Sequence, residues 1–217
     1  MSNPNQPKRL PRKYQLLASL GIILFAFVAA FVYFKSQAPA APSADEAPAQ
    51  GIGTYYADIV VENYGTITVE LNGDVAPVTV GNFIELAKSG FYDGLTFHRI
   101  IAGFMMQGGD PLGNGRGGSD TTIVGEFQAN GYDNPISHKR GVISMARSQN
   151  YDSARSQFFI MHVDYPSLDG KYAAFGQVTE GLEIVDAICE SAQPMDNNGS
   201  IAKDAQSVIT KITIREE

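Results

Sequence analysis

Residues 97–110 read FHRIIAGFMMQGGD and decide how the rest of the chain is read. One arginine, Arg99, is set among hydrophobic side chains, with Gln107 and the closely packed glycines Gly108 and Gly109 following it. Further along come SQFFI, residues 156–160, and LDGKYAAFG, residues 168–176, in that order. Three ordered segments are far more specific together than any one of them alone.

Outward from this stretch, the pattern is mainly that of strands. Ala57, Ile59 and Val61 alternate with polar or opposite-face neighbours, and after Asn63, Tyr64 and Gly65 the series Ile67, Val69, Leu71 alternates again. Period two on both sides of a turn predicts a β-hairpin. After Pro77, the residues Val80, Phe83, Ile84 and Ala87 fall at helical i, i+3, i+4, i+7 spacing, and Ser89 and Gly90 supply the stop. A second, weaker helix is expected over residues 181–189, with Leu182, Val185 and Ile188 on one face. A last strand is expected over residues 208–215, with Val208, Thr210, Ile212 and Ile214 sharing a side. Short strands between Gly, Asn and Asp turns, with only two short helices, argue for a mainly β sheet closed on itself. The pattern leaves barrel and sandwich open, and no internal repeat is found.

The three ordered segments resemble the cyclophilins, a family of peptidyl-prolyl cis-trans isomerases, and the resemblance runs over residues 56–214. It implies a closed eight-stranded antiparallel β-barrel capped by two short helices, with a packed interior. Arg99 matches the arginine that the family uses as a fixed donor to the prolyl nitrogen. Gln107 matches the glutamine that orients it and bonds the substrate backbone. Phe104, Met105, Phe159 and Leu168 match the apolar cup around the proline ring, and Ala146 a small residue against which the peptide lies. A single Phe or Met is more often core packing; in register with Arg99 and Gln107, the set reads as a site. His98 is read as a structural histidine neighbouring the pocket. The resemblance implies no cofactor and no metal, and proline-containing peptides and folding proteins as partners of a monomer. A non-catalytic module or chaperone that holds proline segments in the same groove is the alternative.

The chain departs from the family at the rim of this groove. Many members have tryptophan before the leucine of LDGK, where it helps bind cyclosporin; here Ser167 stands there, and the chain has no Trp. Weak cyclosporin binding is therefore expected. Tyr172 replaces a frequent histidine and Arg147 a frequent asparagine, which points to a shifted preference around the proline. The segment SQNYDSAR, residues 148–155, resembles bacterial members in length more than animal ones.

The N-terminal fifty residues lie outside the resemblance. Residues 16–34 carry no charge and are dominated by Leu, Ile, Phe, Val and Ala, close to the ~20 residues a membrane-spanning helix needs. Lys8, Arg9, Arg12 and Lys13 precede this stretch and only Lys35 follows immediately, which places residues 1–15 in the cytoplasm and the rest outside. A cleaved signal peptide is the competing reading, given Ala38, Pro39 and Ala40, although the apolar stretch exceeds the ~7–15 residues of a signal core. A secreted protein would then result. No Cys lies near the end of the stretch, which excludes a lipid-modified cysteine as the anchor. Residues 35–53, rich in Ala and Pro, cannot bury enough apolar surface to fold alone and form a tether. Residues 54–217 are the folded domain.

From residue 51 onward there are eleven basic and twenty-one acidic side chains. So acidic a surface disfavours nucleic acid, whose phosphates need clustered Lys and Arg. Gly113, Gly115 and Gly118 fit GxGxxG, but SDTTIVGEF, residues 119–127, reads as a strand where a dinucleotide site needs a helix. His98, His138 and His162 lack metal-ligand spacing. Asn198, Gly199 and Ser200 form a sequon that reads as a turn. Cys189 reads as a small apolar residue on a helix.

Overall fold

The computed structural model describes residues 52–216. Eight strands, β1 (Thr54–Val61), β2 (Gly65–Asn72), β3 (Thr96–Ile101), β4 (Met105–Asp110), β5 (Val142–Met145), β6 (Phe158–Met161), β7 (Ala174–Glu180) and β8 (Ser207–Glu216), close into one barrel. Their order is β1-β2-β7-β5-β6-β4-β3-β8, and every pair is antiparallel. This resolves barrel against sandwich. The first hairpin turns where expected: Val61 pairs with Gly65, and Asn63 takes the left-handed conformation (φ 64°) that its short polar side chain tolerates.

Period-two alternation sends Ala57, Ile59, Val61, Ile67, Val69 and Leu71 into the barrel, all fully buried. Helices α1 (Pro77–Lys88) and α2 (Leu182–Ser191) add Val80, Phe83, Ile84, Val185, Ile188 and Cys189 to the same core. Each fully buried side chain of this size contributes ~1.5–3 kcal/mol. Cys189 is buried as expected, and burial, helped by Asp186 and Glu190, pushes its thiol up to about 12.

Helix α1 begins with Pro at its first position and has no side-chain cap of its own at Ala76. Its cap comes from far along the chain. The buried Glu126 accepts from the Val78 amide (3.1 Å), the Thr79 amide (2.8 Å) and the Thr79 hydroxyl (2.7 Å). A carboxylate there also meets the positive end of the helix dipole.

Two expectations are corrected. In β8 the inward residues are Ile209 and Ile212, while Thr210 is exposed. Val60 pairs with Lys211 and Val61 with Ile209, so Thr210 is an extra residue in a bulge that reverses the alternation. Residues 119–127 form no strand: Ile123 makes one isolated bridge to Ala154, and the rest is irregular. Among the described residues no helix is long and apolar enough to cross a membrane. The expected membrane helix over residues 16–34, and most of the tether, lie outside the described residues.

Candidate active site

The barrel wall sorts its side chains into two apolar clusters. Met106, Phe158, Ile160, Ile143 and Met145 point inward, and their neighbours Met105, Phe159, Met161, Val142 and Ala174 form a separate outer cluster. Phe104, Ala146, Leu168 and Tyr172 pack against that outer cluster. Six expected site residues, Phe104, Met105, Ala146, Phe159, Leu168 and Tyr172, therefore meet in one apolar cup. Met105 and Phe159 are buried at its floor, whereas Phe104, Leu168 and Tyr172 are half-buried at its rim.

Arg99 reaches this face because β3 carries a bulge. Phe97 pairs with Gly108 and Arg99 with Gln107, leaving His98 as the extra residue. Phe97 and Ile100 can then both enter the core, and Arg99 and Ile101 turn outward. The paired glycines serve the same junction. A Cβ on Gly108 would come within 2.9 Å of the Phe97 ring, and one on Gly109, already at φ 81°, would strike the Ser156 carbonyl.

The guanidinium is held on several sides. Nη1 donates to Gln107 Oε1 at 3.1 Å and lies 3.7 Å from Met105 Sδ; Nε donates to the Asn198 carbonyl at 2.7 Å. The Phe104 ring centroid is 6.0 Å from its carbon. Burial draws Arg99 below the ordinary guanidinium value, against Tyr172 and Asp196, which act the other way. A partly desolvated cation of this kind stays charged and is a stronger hydrogen-bond donor.

Gln107 is fixed in turn. Its Nε2 donates to Gln157 Oε1 at 2.8 Å, and Gln157 Nε2 donates to the Gly117 carbonyl at 2.8 Å. Gln157 was not singled out in the sequence, although it sits inside SQFFI. Asn198 was also underrated. Its segment is a turn, as expected, with Asp196 accepting from the amides of Asn198 and Ser200, but the same turn delivers the carbonyl that locks Arg99. Ile100 and Ile201 complete the attachment through the Gly199 and His98 carbonyls.

His98 is buried, and neither ring nitrogen makes a well-formed hydrogen bond. Burial lowers its basicity, Asp110 raises it, and Arg99 and the Thr96 backbone act more weakly. Asp110 anchors the glycine-rich loop by accepting from the amides of Leu112, Asn114 and Gly115. Burial alone would raise its carboxyl, but these amides and that of Gly117 hold it below the usual range. The GxGxxG stretch is thus a loop tied to β4.

Arg147 does not project freely into the groove. It donates to the Lys171 and Ser148 carbonyls and lies 4.7 to 5.0 Å from the ring centroids of Tyr172, Tyr151 and Phe127. Ser167 is exposed on a short 3-10 turn, Pro166–Leu168. Beside it the Tyr165 ring packs against that of Phe104, tilted by 54° with centroids 4.6 Å apart. The arrangement is a fixed cation donor at the edge of an apolar cup.

Comparison with known proteins agrees with this geometry. A sequence model of the family "Cyclophilin type peptidyl-prolyl cis-trans isomerase" matches residues 56–214. A peptidyl-prolyl cis-trans isomerase of Helicobacter pylori is 50% identical over 137 residues, covering 62% of this chain and 80% of the relative. Peptidyl-prolyl cis-trans isomerase B of Bacillus subtilis is 44% identical over 147 residues, covering 68% and 94%. A crystal structure of a cyclophilin type isomerase from Cryptosporidium parvum, in the presence of the dipeptide Ala-Pro, superposes with a TM-score of 0.65 at 32% identity, over 75% of this chain and 99% of that one.

Proposed function

Because the chain belongs to the cyclophilin-type peptidyl-prolyl cis-trans isomerases, we propose that it turns X-Pro bonds in the outer-wall cup, with Arg99 as the catalytic donor, on proteins folding outside the cytoplasm. The chain is a peptidyl-prolyl cis-trans isomerase. The observation that carries the site is the joining of Arg99, Gln107 and the apolar cup on one wall.

An X-Pro bond isomerises in tens to hundreds of seconds because C–N resonance must break, at a barrier of ~18–20 kcal/mol. Turnover at ~10³ s⁻¹ requires an acceleration of ~10⁵-fold, or about 7 kcal/mol. As the bond twists, the prolyl nitrogen becomes pyramidal and gains a lone pair, which Arg99 stabilises in the transition state only. A charge-assisted hydrogen bond contributes ~1.5–3 kcal/mol, so the remainder comes from excluding water and gripping the ring. Phe104, Met105, Phe159 and Leu168 hold the ring, Ala146 leaves room for the backbone, and the preceding carbonyl swings. Gln107 keeps the guanidinium aimed and offers its amide to the substrate backbone.

Residues 16–34, with the basic residues before them, support a single-pass anchor with residues 1–15 in the cytoplasm. Residues 35–53 tether the domain on the outer side, and residues 148–155 suit a bacterial-type member. Mass spectrometry of the mature N-terminus from membranes tests the anchor, and a start at Pro39 or beyond would refute it.

The isomerase site is tested by NMR exchange of an Ala-Pro peptide, the fragment named with the Cryptosporidium structure. The full chain in detergent is compared with its Arg99→Ala variant. Fast exchange that collapses in the variant is expected. Peptide bound by the parent without exchange would instead make the cup a proline-binding module.

A further inference from the structure

Gln107 and Ala146, which border the cup, also line a second cavity of about 410 Å³. Three arginines, Arg116, Arg147 and Arg155, are among its lining residues, and no Asp or Glu is. This runs against the character of the domain, which has twenty-one acidic to eleven basic side chains from residue 51 onward.

The three arginines differ in freedom. Arg147 is committed to the Lys171 and Ser148 carbonyls and to its aromatic neighbours. Arg116 and Arg155 are exposed, and neither side chain has a partner among the described residues. Arg155 is nevertheless positioned. Its stem lies over Gly118, where a Cβ would come within 2.8 Å of its Cδ, so the bare backbone there gives the side chain its bed. A concave site lined by one sign of charge concentrates its field and draws in the opposite charge.

We propose that this cavity receives the carboxylate of an Asp or Glu lying within three residues of the client proline, with Arg116 and Arg155 as the recognising groups. The proposal rests on the isomerase reading, because a proline seated in the cup places the flanking chain across Ala146. An extended chain advances ~3.3–3.6 Å per residue, so a side chain a few residues from the ring reaches the neighbouring cavity. Guanidinium forks suit carboxylates and leave amides and ammonium groups less favoured.

The test uses the full chain and Ala-Pro peptides carrying Glu, Gln or Lys at each of the three positions on either side. At one position Glu is expected to exceed Gln about three- to tenfold in kcat/KM, with Lys below Gln. The gain should lie in KM and shrink between about 20 mM and about 300 mM salt. The Glu-to-Gln ratio should fall to about one in Arg116→Gln/Arg155→Gln and persist in Arg116→Lys/Arg155→Lys. A ratio near one at every position, or one that survives the double glutamine variant, overturns the proposal. No turnover of the all-neutral peptide would count against the isomerase reading instead; peptide Kd values for Glu and Gln would then decide the charge preference.

Discussion

Arg99 on β3 and Gln107 on β4 are direct cross-strand partners, and the guanidinium Nη1 donates to the amide Oε1 at 3.1 Å. Because side chains opposite each other on an antiparallel pair lie close, the sheet itself sets this contact. The bulge at His98 decides that it forms on the outer wall. The donor is thus part of the barrel, and little reorganisation is needed when the substrate twists.

Removing the donor is the severest change expected at the site. Arg99→Ala should lower kcat/KM about 10²- to 10³-fold, the loss reported for a preorganised transition-state donor. Arg99→Lys should recover little, because an ammonium cannot bond Gln107, the Asn198 carbonyl and the prolyl nitrogen from one plane. Peptide exchange by NMR measures both, and peptide affinity should change far less than turnover.

Gln157 acts one step back. It holds Gln107 by accepting from its amide, while its own amide is held by the Gly117 carbonyl. Gln157→Leu should free Gln107 to rotate and lower kcat about tenfold, roughly the worth of one neutral hydrogen bond. A merely structural role would lower the melting temperature instead and leave kcat of the folded fraction intact.

What could be read in the sequence follows from how local the signal is. The first hairpin and α1 were legible because Ile67, Val69 and Leu71 repeat every second residue, and Val80, Phe83 and Ile84 at helical spacing. The phase of β8 was not, since a bulge at Thr210 costs one residue and leaves no mark in composition. The cup residues were named from a resemblance, and no periodicity could show that Met105 and Phe159 face out of the barrel while Met106 and Phe158 face in. The missed partners, Gln157 and the Asn198 carbonyl, act on Arg99 over separations of fifty to a hundred residues or through backbone atoms common to all residue types.

Stability should depend on pH through His138, which lies fully buried beneath the cup. One ring nitrogen is 2.9 Å from Asp169 Oδ1 and the other 3.1 Å from Ser144 Oγ, and the ring stacks on Phe159 at 6.0 Å. Burial lowers its basicity more than Asp169 raises it. With the folded value below the unfolded value of about 6.5, its contribution is complete above that pH and is lost as pH falls through the folded value. His98, lowered by burial as well, acts with the same sign. Denaturant midpoints should therefore fall below about pH 6.5, and the His138 ring signals should titrate below that value. A midpoint that rises on acidification through this window would refute the assignment.

The remote cap of α1 predicts a purely structural defect. Glu126→Ala would leave the buried Thr79 amide and hydroxyl, and the half-buried Val78 amide, without their acceptor, at about 1–3 kcal/mol. That corresponds to a drop of about 2–12 °C in melting temperature for a domain of this size. Differential scanning calorimetry measures it, and Glu126→Gln, which keeps an acceptor, should lose less.

The rim at Ser167 gives a test of ligand selectivity. The side chain is exposed on the turn before Leu168, while the Ser167 carbonyl accepts from Lys171 Nζ at 2.9 Å, so a larger side chain can replace it without disturbing the turn. In the resembling family a tryptophan at this place helps bind cyclosporin, and an indole contributes a large apolar face together with one N–H donor. Ser167→Trp is therefore expected to tighten cyclosporin binding about 10- to 100-fold, as one well-buried aromatic anchor does, with Ala-Pro exchange changing less than threefold. Tyr165 already packs against Phe104, with ring centroids 4.6 Å apart, and sets the alternative. If Tyr165 covers the rim in the tryptophan's place, the parent chain binds the drug tightly and Tyr165→Ala, in place of Ser167→Trp, is the change that moves the affinity. Calorimetric titration of the three proteins separates the two outcomes.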